Sequence, residues 1–268
     1  MLLIYLHKMN RLFNIFRLSV VCLSVVTLVS CLDNDDNRQS VTFNNMAVTV
    51  SGNELEGYRL YTDFDAVLVP SNLSQISWLK EVRRAVVSFD TSDESLTNVS
   101  DLESGHTYDI VLSEAAEIPT YISCVDTLSE DYQIFGQDSI ALKNKAVQSV
   151  NQTEGQYYIQ NGYMNVVPTF YFDPYSAVSF LLYYDDNRDI DTTGKKATFN
   201  LYFDTNAPNA WNTTSSLISL RMPDEVYSRF IQTGLTDDDT IDVCLNVRTQ
   251  TGTVTLEYKT ALEDFMLP

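Results

Sequence analysis

Apolar and polar residues alternate over most of this chain with the period of strands, and the places where that period breaks divide it into elements. In the first half Val41, Phe43, Met46, Val48 and Val50 form one apolar cluster, and Tyr58-Arg59-Leu60-Tyr61 forms a second. Asp63-Phe64-Asp65 reads as a turn into Ala66-Val67-Leu68-Val69, where Pro70 ends pairing because it has no amide proton to donate. From Asn72 to Val82 the period changes: Leu73, Ile76, Leu79 and Val82 recur at every third position after a Ser/Asn start, which predicts a short helix. Ala85-Val86-Val87-Ser88-Phe89 and Thr107 to Leu112 return to strand. Three strands, a helix and two strands is the element order of an OB-type five-stranded barrel. A β-meander with an inserted helix produces the same string, so both topologies stay open.

The second half is richer in aromatics, with strand-like segments at Tyr163 to Asp173, Ala177 to Tyr184, Ala197 to Asp204, Leu217 to Met222, Thr240 to Arg248 and Thr253 to Thr260. In the fifth, Ile241, Val243, Leu245 and Val247 alternate with Asp242, Cys244, Asn246 and Arg248, so one face is buried and the other wet. Thr251-Gly252 is a hairpin signal between the last two segments, and only Glu225 to Gln232 reads as helix. The expected fold class is therefore all-β: a small OB-like five-stranded barrel over 40–130, followed by a β-sandwich domain over 131–268. The boundary is expected near Ser129 to Ser139, where polar residues thin the apolar pattern.

The first thirty residues differ in kind. They hold Lys8, Arg11 and Arg17 but no acidic residue, and the apolar stretch Leu18 to Val29 follows. At 1.5 Å rise per residue that stretch falls well short of the roughly 30 Å hydrocarbon core, so residues 1–30 read as a cleaved signal peptide. Leu28-Val29-Ser30-Cys31 resembles the lipobox of bacterial lipoproteins, which implies that Cys31 becomes the lipidated first residue. Each buried CH₂ is worth about 0.8 kcal/mol, so two or three acyl chains anchor stably where one does not. Residues 31–39 follow as an acidic tether, Leu32-Asp33-Asn34-Asp35-Asp36-Asn37, with nothing to bury. This run resembles the export signal that sends Bacteroidota lipoproteins to the outer face of the outer membrane. The expected location is thus the outer membrane, lipid-anchored and at the cell surface.

Charge narrows the partners. The chain carries 36 acidic against 17 basic side chains, a formal net charge of −19, and loss of Lys8, Arg11 and Arg17 leaves it more acidic still. Nucleic acid is excluded as a partner, because polyphosphate binding needs a basic surface. Of the four cysteines, Cys22 leaves with the signal and Cys31 is lipidated. Cys124 and Cys244 remain, with a disulfide or two separate thiols equally open. Zinc is disfavoured, since neither has a CxxC partner and His106 is the one histidine after His7.

With lipobox, acidic tether, barrel and sandwich in view, the chain resembles the NigD-like family of Bacteroidota lipoproteins. The residues that carry the resemblance are Cys31 with Asp33, Asp35 and Asp36; Leu102-Glu103-Ser104-Gly105-His106-Thr107-Tyr108-Asp109-Ile110; and Gln160-Asn161-Gly162-Tyr163-Met164-Asn165-Val166. The resemblance implies an N-terminal OB domain, a C-terminal β-sandwich and no established biochemical activity. The strand before the helix lacks the glycine-rich turn expected of the family.

Three constellations offer chemistry. Asp185, Asn187, Asp189 and Asp191 place oxygens at alternate positions as a calcium loop does, and hard cations prefer such ligands. An EF-hand is excluded, since Ile190 and Lys196 stand where its glycine and bidentate glutamate belong; a solvated acidic turn is the plainer reading, and Asp237-Asp238-Asp239 reads the same way. Trp211, in the polar loop Asn206-Ala207-Pro208-Asn209-Ala210-Trp211-Asn212, is a candidate stacking platform for a sugar, or else a loop residue folded over the sandwich edge. Any Ser-His-Asp triad would run through His106, but no GxSxG or comparable nucleophile context accompanies it.

The function expected is a non-catalytic, surface-anchored lipoprotein with a binding or scaffolding role and no cofactor. Its partners would be the membrane, through the N-terminal lipid, and an extracellular protein or glycan. The alternative is a glycan-binding accessory protein of a surface uptake system, and a hydrolase using paired carboxylates stands third.

Overall fold

The computed structural model describes residues 41–93, 95–122, 124–126, 144–153, 155–205 and 212–268. Strands β1 (Val41–Asn53), β2 (Gly57–Thr62), β3 (Val67–Pro70), β4 (Arg84–Thr91) and β5 (Thr107–Glu117) close a barrel in the order β1-β2-β3-β5-β4. β3 runs parallel to β5 and the other neighbours are antiparallel. That parallel pair decides between the two topologies left open by the sequence, because a meander joins only antiparallel neighbours. Inward residues Val48, Leu60, Leu68, Val87, Phe89 and Ile110 fill the interior, and the Phe43 ring stacks on Phe89 at 5.0 Å.

The expected helix between β3 and β4 forms at Leu73–Glu81 as a 3₁₀ segment, broken at Ile76 (φ −123°, ψ 54°). Its three-residue apolar spacing matches the 3.0 residues per turn of that helix better than the 3.6 of an α-helix. Leu79 alone on this segment is fully buried, plugging the barrel.

The second unit begins before the expected boundary region, which lies outside the described residues. β6 (Thr120–Tyr121) and β7 (Cys124–Asp126) already pair with β16 (Ile218–Arg221) and β12 (Val178–Tyr184). One layer of this unit is the sheet β18-β17-β14-β12-β7, built on β14 (Lys196–Thr205), β17 (Thr240–Thr249) and β18 (Gly252–Ala261), with β13 (Ile190–Asp191) beside β14. The facing layer comprises β6-β16-β10-β9, with β9 (Tyr158–Gln160) and β10 (Tyr163–Val166), and β15-β11-β8, with β8 (Ser149–Val150), β11 (Pro168–Phe172) and β15 (Asn212–Ser215). Ile241, Val243, Leu245 and Val247 from one layer meet Met164, Val166, Ile218 and Leu220 from the other in a single core, which makes this unit a sandwich. Helix α1 (Asp224–Gln232) closes one end with Val226 and Phe230.

β10 is buried at all four positions, an unusual pattern for a sandwich strand. Met164 and Val166 face the sandwich core, while Tyr163 and Asn165 face the barrel. The sheet β6-β16-β10-β9 is thus a middle layer between two cores. Cys124 and Cys244 do not form a disulfide. Strands β12 and β14 lie between theirs, at roughly 4.8 Å per strand, which exceeds the reach of about 7 Å between bridged Cα atoms.

Candidate functional site

The junction between barrel and middle layer centres on Arg84, the first residue of β4, which is fully buried. Inward and outward positions alternate along β4, so Ala85 and Val87 enter the barrel while Arg84 leaves it toward the sandwich. The guanidinium Nη1 and Nη2 donate to Asp63 Oδ1 and Oδ2 at 2.6 and 2.8 Å, a bidentate pair. Nη1 also donates to Thr49 Oγ1 at 2.9 Å, Nη2 to Asn165 Oδ1 at 3.0 Å, and Nε to Ser219 Oγ at 3.3 Å. Every N–H of the fork therefore has a partner, two of them supplied by the sandwich. The Tyr163 ring lies under the guanidinium carbon at 5.6 Å, and Tyr158 Oη donates to Asp63 Oδ2 at 2.7 Å.

Burial alone would lower the Arg84 pKa, but the hydrogen bonds and charge of Asp63 outweigh it and the net direction is upward. Burial first, then the Asp63 charge, pushes the Tyr158 hydroxyl well above its ordinary range. The cluster is thus a fixed charge pair with neutral donors around it. Its donors and acceptors are satisfied by one another, so it orders the molecule and offers nothing to a substrate.

A second set of contacts surrounds the first. Asn161 (φ 54°) and Gly162 (φ 78°) make the two-residue turn between β9 and β10, both in the left-handed region that an Asn-Gly type I′ turn supplies. Asn161 Nδ2 donates to the Thr62 carbonyl at 3.0 Å, and Gln160 Nε2 to Asp65 Oδ1 at 2.6 Å, so the hairpin grips the β2–β3 turn. The Gly162 amide donates to the Asp264 carbonyl at 2.8 Å, and its carbonyl accepts from Arg221 Nη1 and from the Met222 amide. Nearby, burial raises the Asp264 pKa, helped by the charge of Asp65; Glu263 is raised for the same reason, with Asp264, Asp238 and Asp65 adding to it.

In the loop of Asp185, Asn187, Asp189 and Asp191 the carboxylates are engaged by the loop's own backbone and by Arg188. Asp185 Oδ1 accepts the amides of Asn187 and Arg188, each at 3.1 Å. Asp189 Oδ2 accepts the Asp185 amide at 2.9 Å, and both Asp189 oxygens are held by Arg188 at 2.8 Å. Asp191 Oδ1 turns away to the amides of Thr193 and Gly194 at 3.0 and 2.8 Å. The oxygens that a calcium ion would need serve as caps for the loop's own backbone, and Arg188 neutralises part of their charge. Among the described residues no three of His, Cys, Asp and Glu come together in an arrangement able to hold a metal ion. Asp239 likewise serves its turn: bonds from Lys195 and Thr236 depress its pKa to about 2.

His106 is exposed at the entry to β5 with its ring 4.8 Å from that of Tyr108. Ser95 Oγ, close by in the preceding loop, donates directly to Asp93 Oδ1 at 2.6 Å, so no serine–histidine–aspartate relay is formed there. Cys31 and Trp211 lie outside the described residues. An open groove of about 350 Å³ crosses the outer face of the long sheet, lined by Lys196, Asp242, Cys244, Glu257 and Lys259.

The architecture defines a class: a two-unit all-β protein in which an OB-type barrel is joined to a β-sandwich by hydrogen bonds to an ion pair buried at the barrel's surface. Solved structures of similar fold include several from Bacteroidota. A candidate lipoprotein from Bacteroides fragilis NCTC 9343 shares 12% identity at a TM-score of 0.55, covering 84% of this chain and 98% of its own. A protein of unknown function from Bacteroides vulgatus ATCC 8482 shares 16% identity at 0.53, covering 86% and 95%. A NigD-like immunity protein from Bacteroides caccae ATCC 43185 is also similar, at 14% identity and 0.47, with 85% and 99% covered. At these identities the first two likenesses establish a shared fold across both units. The sequence matches no protein-family model and no curated protein. Among the described residues no helix is long and apolar enough to cross a membrane.

Proposed function

We propose that this protein is a non-catalytic lipoprotein, anchored by lipid on Cys31 to the outer membrane and displayed at the cell surface as a rigid binding or scaffolding element. The observation that carries the reading is the Arg84 cluster, whose polar groups are all turned inward on one another to fix the two units as one body. A catalytic centre would instead keep polar groups turned toward a space that substrate can enter. The acidic surface and the signal-like N-terminus support display on a cell exterior, and the fold is shared with a candidate lipoprotein.

Protease treatment of intact cells, followed by immunoblotting, tests the placement. The expected result is loss of the protein from untreated-membrane levels while a periplasmic control survives, and release of the Cys31→Ser variant into the soluble fraction. Full protection in intact cells, or membrane retention of the Cys31→Ser variant, would overturn it.

A further inference from the structure

A sheet edge presents a row of backbone donors and acceptors able to pair with another strand. The barrel is closed, and its strands share no such edge. Among the described residues the sandwich edges β6, β7, β8, β9 and β15 are each four residues or shorter, while β18 runs for ten. β18 pairs with β17 along its whole length and ends the sheet order on its other side. It is the one long edge there on which a strand can be added.

The outer face of this sheet carries a charged row across the strands. Asp191 stands opposite Lys196, Lys196 opposite Asp242, and Asp242 opposite Lys259. The signs alternate, and Lys259 Nζ lies 3.2 Å from Asp242 Oδ1. At the free edge the row stops on a cation that is 75% exposed, so its next place calls for a carboxylate. Glu257 lies on the same strand and the same face, two residues away, and is also exposed.

These positions make the edge complementary to itself. The geometry points to a homodimer in which β18 pairs antiparallel with β18 of a second copy of this chain, on a two-fold axis through Tyr258, so that Glu257 meets Lys259 of the partner subunit twice. A two-fold axis normal to the sheet keeps outer residues opposite outer residues, so it must pass through a residue and not between two. An axis through Glu257 sets that carboxylate against its own copy, and an axis through Lys259 does the same for the amine. Tyr258 is the register in which both charges meet their opposites, and Thr255–Ala261 then forms the shared ladder. Directly opposed side chains of a strand pair stand about 5 Å apart, close enough for these pairs to select the register.

The test is the molar mass of the full lipidated chain in detergent, measured by light scattering with the micelle subtracted, over a range of protein concentrations. The wild type is expected at twice the chain mass. Glu257→Lys and Lys259→Glu should each weaken the dimer at least about tenfold, because each sets two like-charge pairs at the seam, and the double exchange should restore it. Far-UV circular dichroism of each variant should match the wild type, since both sites are exposed. A wild type that stays monomeric throughout overturns the proposal. So does a dimer that ignores both single reversals, or one that the double exchange does not rescue, since another face or another chemistry would then hold it.

Discussion

Arg84 and Arg83 are neighbours of the same type, yet Arg84 is fully buried and Arg83 is not, because strand parity sends one toward the sandwich. Replacing one partner of a buried ion pair strands the other in a low dielectric, which costs about 3–5 kcal/mol. Arg84→Ala should therefore lower unfolding free energy by about that amount in urea titration, and Asp63→Ala similarly. A paired Arg84→Met/Asp63→Leu variant should lose much less, since no charge is left alone; equal losses in all three would show that packing and not charge holds the junction. Tyr158→Phe removes one donor to a charged acceptor and should cost about 1.5–3 kcal/mol by the same titration. At Gly162 an added Cβ would stand 2.7 Å from Arg221 Nη1 and in a left-handed conformation, so Gly162→Ala should lower the melting temperature by more than an exposed Gly105→Ala. None of these roles is legible from sequence alone. A lone arginine in a strand reads as surface until the layer that covers it is known, although Gln160-Asn161-Gly162 does announce its turn.

Elements that bury one face over many residues were legible, and elements that exist only through tertiary pairing were not. The segments Ala177 to Tyr184, Thr240 to Arg248 and Thr253 to Thr260 fall within a residue or so of β12, β17 and β18, because long alternation fixes both state and face. β6, β8, β9, β13 and β15 are too short to show a period, and β6 and β15 find their partners far along the chain. The segment from Tyr163 to Asp173 divides into β10 and β11, which belong to different sheets, where Val167 separates them. The 3₁₀ segment shows how pattern and packing part company. Of its apolar positions Leu79 is wholly buried in the barrel core, while Leu73 and Ile76 only rest against it. Leu79→Ala should then cost about 2–5 kcal/mol and Ile76→Ala distinctly less, measured by urea titration of each variant. Equal costs would mean that the segment packs as a conventional amphipathic helix. The loop of Asp185 to Asp191 was ambiguous for a related reason: alternate carboxylates mark cation loops and self-capped turns alike, and the hydrogen-bond partners that distinguish them are set by folding.

At the scale of the whole molecule, charge sets how stability follows pH. Where the second unit's C-terminal segment meets the barrel, Asp264, Glu263 and Asp65 crowd together; burial first holds Asp264 and Glu263 above their ordinary pKa, aided by the charge of Asp65 at Asp264 and by those of Asp264, Asp238 and Asp65 at Glu263. A carboxyl whose pKa is higher folded than unfolded binds its proton preferentially in the native state. Stability therefore rises as pH falls through the interval between the folded value and the ordinary one near 3.8. Asp204 and Asp239 work in the opposite sense, since lysine partners hold their pKa values down, and their contribution is lost only below the ordinary carboxylate range. The two sets act in different windows, and the formal charge of −19 adds a repulsion that mild acid also relieves. The melting temperature should accordingly increase as pH falls from neutrality toward the ordinary carboxylate range and then collapse in stronger acid. Asp264→Asn should raise the neutral-pH value and flatten the rise, while an added 0.5 M salt should reduce only the long-range part of it. A melting temperature that declines steadily from neutrality, or a rise that Asp264→Asn leaves intact, would mean that the crowded carboxyls at the junction do not govern how the two units stay together.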